Sequence, residues 1–146
     1  MFLIALLIAF IAGVAMAVQG SLNTGLGKIV GLLEATFIVH IIGAAALVIL
    51  LFLFRLGQGN LSKVPQAPWY LYLGGLISVV IIYAVVASIS RVGVASATTA
   101  IIVGQVGTAI LIDHLGLFGL ERIPFSWLKA VGVILLAIGT KFMLMR

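Results

Sequence analysis

The sequence contains no cysteine, which excludes disulfide staples, thiol nucleophiles and Cys-ligated metals. Charge is almost as scarce. Charged side chains make up 8% of the 146 residues, and only three of them are acidic. Soluble domains carry about 25% charged residues, so a water-facing surface cannot be assembled from this composition. Disorder is excluded too, because it needs low hydrophobicity and high charge. A nucleic-acid binder is not expected despite the formal charge of +5, since the eight Lys and Arg are scattered singly and form no basic cluster. With two histidines and no cysteine, metal-ligand spacing is missing. There is no Ser/His/Asp set, because Asp113 and His114 are adjacent at a helix end, and no glycine-rich loop is followed by Lys-Ser/Thr. Neither an enzyme nor a cofactor-dependent protein is expected.

What remains is apolar: 64% of residues are hydrophobic and the mean hydropathy is +1.42. A helix needs about 20 mostly apolar residues to cross a bilayer. Five windows meet that length, at about residues 1–18, 31–54, 69–90, 94–112 and 127–144. They leave no room for a soluble domain. The expected fold is therefore all-α and membrane-embedded, one five-helix domain over residues 1–146. The first span is expected to end where Gln19, Ser21, Asn23 and Thr24 mix with glycines. The third opens on Trp-Tyr-Leu-Tyr, an interfacial aromatic belt. Ala15-Met16-Ala17 resembles a signal-peptidase site, but the first side-chain cation is Lys28 and the apolar stretch is long. The first segment is thus expected to stay in the membrane.

Five spans put the chain ends on opposite sides. One side receives Arg55, Lys63, Arg122 and Lys129, and the other Lys28, Arg91, Lys141 and Arg146. Orientation follows the Lys/Arg excess in short loops, and here that excess is zero. One resolution is that weaker cues pick a side; the other is that both orientations form and pair. Many transport pathways lie between inverted repeats. Five spans do not divide into two such halves, and no internal repeat is expected between the first and second halves. Two oppositely inserted copies would supply the missing symmetry as an antiparallel homodimer of ten helices.

Small residues let helices approach closely in lipid. Ala5, Ala9, Gly13 and Ala17 recur at every fourth position of the first span, and Gly104 marks a similar stripe in the fourth. Polar groups at membrane depth are fewer and more telling. An ionisable side chain at a span centre costs about 2.5–3.5 kcal/mol on insertion scales. Glu34 and His40 are the two well inside a span. Glu34 reads either as a carboxylate favoured by a helix N-terminus or as a site for a proton or cation. Thr36 and His40 share a face from which Glu34 is offset by about 120°, so a relay through all three on one helix is not expected unless a partner protomer closes it. His40 reads either as a satisfied interior histidine or as a proton carrier. Gln105 and Thr108 lie three apart on one face of the fourth span and serve either as interhelical glue or as substrate contacts. Asp113 and His114, at a helix end, read as structural.

The run GQVGTAILIDHLGLFG (Gly104 to Gly119), with Arg122 and LKAVGVILLAIGT beyond it, resembles the C-terminal signature of YdcZ-like membrane proteins of the drug/metabolite transporter superfamily. QGSLNTGLGKIVG (Gln19 to Gly31) and the Pro68-Trp69 to Gly74-Gly75 stretch are similar to that family as well. The resemblance spans essentially the whole chain. It implies a multi-pass protein of the inner (plasma) membrane of a prokaryote, with five-helix units that occur singly, in pairs or as ten-helix fusions of opposed halves. The implied function is small-molecule export, with no substrate specified. Glu34, Thr36 and His40 depart from the family's plainer Ser-Phe pattern, so their candidate roles rest on physics alone. The rival readings are a small dual-topology ion channel and a membrane subunit without transport activity.

Overall fold

The computed structural model describes residues 1–145, and every regular element among them is helical. Five helices carry the chain: α1 (Phe2–Val30), α2 (Leu32–Val48), α3 (Leu73–Val92), α4 (Val94–Leu115) and α5 (Trp127–Leu144). Together with short flanking turns, all five are long and apolar enough to cross a membrane. A π-helical stretch, Ile49–Leu53, extends α2, and a 3-10 turn, Trp69–Tyr72, leads into α3. The aromatic belt sits on that turn. Trp69 and Tyr70 meet edge to face, and the Tyr72 hydroxyl donates to the Val64 carbonyl, tying the α2–α3 loop to the start of α3.

α1 runs twelve residues past Val18, through the polar stretch where its end was expected. The physical reason lies in the hydroxyls. Ser21 Oγ donates to Ala17 O and Thr24 Oγ1 to Gly20 O, one turn back. Polar side chains that bond their own helix in this way do not compete with it. The break falls instead at Gly31, with φ 104° and ψ 155°, a region essentially reserved for glycine.

The chain forms two compact units, Met1–Ala87 and the portion from Ser88 onward. In the first, α1 packs on α2. Gly20, Asn23 and Thr24 of α1 are buried, as are Ala35 and Thr36 of α2 and Val86 of α3. Gly27 permits the close approach: a Cβ there would lie 3.1 Å from Val86 Cγ1 and 3.8 Å from the Ala35 Cβ. In the second unit α4 packs on α5, and Ile89 and Ala97 are buried.

Two consecutive helix pairs, α1–α2 and α3–α4, are each joined by one glycine, and the two joints match. Gly93, between α3 and α4, has φ 83° and ψ 166°. Gly31 N–H donates to Gly27 O and Ala35 N–H to Gly31 O; Gly93 N–H donates to Ile89 O and Ala97 N–H to Gly93 O, all at 3.0–3.1 Å. The local sequences match too, as Val30-Gly-Leu-Leu-Glu-Ala-Thr36 and Val92-Gly-Val-Ala-Ser-Ala-Thr98. In both, the alanine is buried, Ala35 at 0% and Ala97 at 3% exposure. The likeness lies in the joint, over residues 30–36 and 92–98.

Candidate functional site

Glu34 opens the first turn of α2. Its side chain folds back over Gly31, where a Cβ would overlap Oε2 and lie 3.0 Å from Cδ. The glycine thus serves the carboxylate as well as the backbone. A carboxylate at a helix N-terminus is favoured by the dipole, by about 0.3–1 kcal/mol at exposed sites. Among the described residues no cation pairs with Glu34, and its oxygens accept no hydrogen bond. It borders a shallow apolar groove on the open face of α2, formed with Leu33, Phe37 and Ile38. An adjoining groove of about 250 Å³ shares Leu33 and Phe37 and adds Thr36, His40 and Val79. Glu34 and His40 therefore border neighbouring grooves on one stretch of α2, with the Phe37 ring common to both.

His40 is half-buried and bonded at both ring nitrogens. Nδ1 lies 2.7 Å from Thr36 O, and Nε2 lies 3.1 Å from Ser78 Oγ on α3. Ser78 Oγ in turn donates to Gly75 O at 2.7 Å. Thr36 is the buried anchor of this face, its hydroxyl donating to Leu32 O. Ser78 was not among the residues singled out from sequence. A partner 38 positions away on another helix leaves no local signal.

Gln105 and Thr108 lie on α4 in the second unit, exposed on the protomer surface. Neither side chain forms a hydrogen bond among the described residues. This sets Thr108 apart from Thr24, Thr36, Thr99 and Thr140, each of which donates to the carbonyl one turn back. A Cβ at either Gly104 or Gly107 would meet nothing within 4 Å, so this face of α4 is open.

The end of α4 is built differently. Gly116 caps it with φ 62°. Ile123 N–H returns to Asp113 O at 2.9 Å, and Arg122 Nε donates to His114 O at 2.9 Å. His114 Nδ1 accepts from Phe125 N–H at 3.3 Å, and the Asp113 carboxylate lies 3.7 Å from Lys129 Nζ on α5. The Asp-His-x-Gly run therefore folds the α4–α5 loop back onto the helix end. Ser126 Oγ then accepts from Lys129 N–H to start α5.

The stripe of Ala5, Ala9, Gly13 and Ala17 has a different standing from the polar residues. Ala5, Ala9 and Gly13 are exposed, and a Cβ at Gly13 would meet nothing within 4 Å. The packing of α1 inside the protomer uses the next turns, from Gly20 to Gly27. The stripe is free for contact with lipid or another chain. Large apolar side chains are likewise exposed along all five helices, and in α1 the most apolar window has no buried residue at all.

Five apolar helices with outward-facing aliphatic side chains define a multi-pass integral membrane protein that lives in a lipid bilayer. More particularly, residues 4–142 match the family described as "Putative inner membrane exporter, YdcZ". The chain belongs to that family, and its place is the inner membrane. No curated protein and no solved structure matches it.

Proposed function

We propose that this chain is a small-molecule exporter that works as an antiparallel homodimer, with its substrate site between the two protomers. Glu34 is the cation- and proton-binding carboxylate of that site. Gln105 and Thr108 offer an amide and a hydroxyl to the substrate, and the Ala5–Ala17 stripe packs against the second copy.

The observation that carries this reading is the unpaired Glu34 beside an apolar groove, in a member of an inner-membrane exporter family. An ionisable group at membrane depth must be offset by water, a partner or a bound charge. A groove lined by Leu33, Phe37 and Ile38 suits the apolar body of an organic cation, and the carboxylate suits its charge. The open faces of α1 and α4 and the even split of Lys and Arg support the paired arrangement. A proton and a cation that compete for one carboxylate are exchanged across the membrane without both being carried together.

Counterflow in proteoliposomes tests the reading, with a lipophilic organic cation as the probe. Saturable, proton-driven exchange is expected from the parent, and its loss from Glu34→Gln with the dimer intact. Flux that rises linearly with concentration and ignores Glu34→Gln would contradict it and point to a passive channel.

A further inference from the structure

We propose that His40 is a proton-binding site whose occupancy sets the contact between α2 and α3 at Ser78. The inference rests on that contact alone and stands apart from the exporter reading.

The argument is a count of hydrogens. Three short contacts meet in a chain: Thr36 O to His40 Nδ1 at 2.7 Å, His40 Nε2 to Ser78 Oγ at 3.1 Å, and Ser78 Oγ to Gly75 O at 2.7 Å. Both ends of the chain are carbonyl oxygens, which only accept. Three hydrogens are therefore needed between them. A neutral imidazole brings one and the serine hydroxyl brings one. With the ring hydrogen on Nδ1, the Ser78 hydroxyl has two acceptors, Nε2 and Gly75 O, and serves one at a time. With it on Nε2, the Nδ1 lone pair faces the Thr36 carbonyl at a distance that only a hydrogen bond makes favourable. The imidazolium supplies the third hydrogen and satisfies all three contacts at once. Thr36 is buried beside Ala35, and its carbonyl lies one turn before the ring on the same helix, so the ring cannot easily withdraw from it. When the proton leaves, the bond that changes is the one to Ser78, between the helices.

No charged side chain borders the groove formed by Leu33, Thr36, Phe37, His40 and Val79. On α2 the nearest charged residue is Glu34, six positions and about 9 Å of helix rise away. On α3 the titratable groups are Tyr83 and Arg91, five and thirteen positions beyond Ser78, and on α1 the charge is Lys28. Among the described residues no ion pair reaches His40, and its ring meets only the hydrogen-bond partners above. Because His40 and Val79 line the same groove, a change in the α2–α3 contact changes that groove's wall.

The protein has only two histidines, which makes ring-nitrogen NMR of labelled protein in bilayers direct. His114→Gln isolates the His40 signals. Across an acid-to-alkaline series the ring should pass from two N–H groups to a neutral form that keeps its hydrogen on Nδ1. Ser78→Ala removes the hydroxyl partner of Nε2 and should abolish the α2–α3 hydrogen bond in both ring states. Ser78→Thr, which restores a hydroxyl, should recover it. A neutral ring with its hydrogen on Nε2, no change in ring protonation across the series, or an Nε2 signal unmoved by Ser78→Ala would each overturn the proposal. The neutral tautomer is read from the histidine-isolated protein alone, so the outcome does not depend on how well Ser78→Ala folds.

Discussion

The two glycine joints make a paired prediction. Gly31→Ala and Gly93→Ala place a side chain where φ is 104° and 83°, with ψ near 160° in both. Holding a non-glycine residue in such a region costs of order 1–3 kcal/mol. At Gly93 that is the whole effect, since an added Cβ meets nothing within 4 Å. At Gly31 the Cβ also overlaps the Glu34 carboxylate. A long, exposed side chain evades that overlap by rotating, so the collision moves the carboxylate more than it lowers stability. Both variants should therefore lose a comparable ~1–3 kcal/mol, but only Gly31→Ala should impair cation binding through Glu34. The assay is reversible unfolding in mixed micelles, with probe binding measured on the folded fraction. A Gly93→Ala protein as stable as the parent would refute the backbone argument, and unimpaired binding by Gly31→Ala would refute the link to Glu34.

The other expectations concern faces and charges. Gly27→Val crowds Val86 Cγ1, 3.1 Å from the new Cβ, and should cost about 1–3 kcal/mol by overpacking; Gly13→Val, in open space, should leave protomer stability unchanged yet weaken dimerisation measured by cross-linking. Gln105→Leu should abolish transport in proteoliposomes while the dimer persists, and a fully active variant would return Gln105 to a packing role. Two lysines added after Arg146 should bias topology reporters toward one side, whereas reporters on the parent should find its C-terminus on both. Asp113→Asn should cost under about 1 kcal/mol, because its 3.7 Å pair with Lys129 is about one-third exposed.

Hydropathy made the five helices legible, since length and apolarity are local properties of the chain. The starts of α4 at Val94 and α5 at Trp127 fell where the sequence reading placed them. The end of α1 did not, because Ser21 and Thr24 keep their hydroxyls bonded inside the helix, and polarity alone does not distinguish that state from a loop. The matched Val-Gly-x-x-x-Ala-Thr joints were readable in principle, but only by aligning residues 30–36 with 92–98. Of the candidate site, Glu34 and His40 were visible as rare ionisable groups in apolar surroundings. Their grooves and the Ser78 partner required knowing which helices touch, and no helical period carries that information.

The carboxylate's role is tested most directly by equilibrium binding of a lipophilic organic cation to the purified protein in lipid nanodiscs, for the parent and Glu34→Gln. The parent should bind the cation saturably, because an ionised carboxylate bordering apolar side chains offers both a charge and an apolar contact. Glu34→Gln should lose that affinity. Equal binding by the two proteins would show that Glu34 only starts a helix.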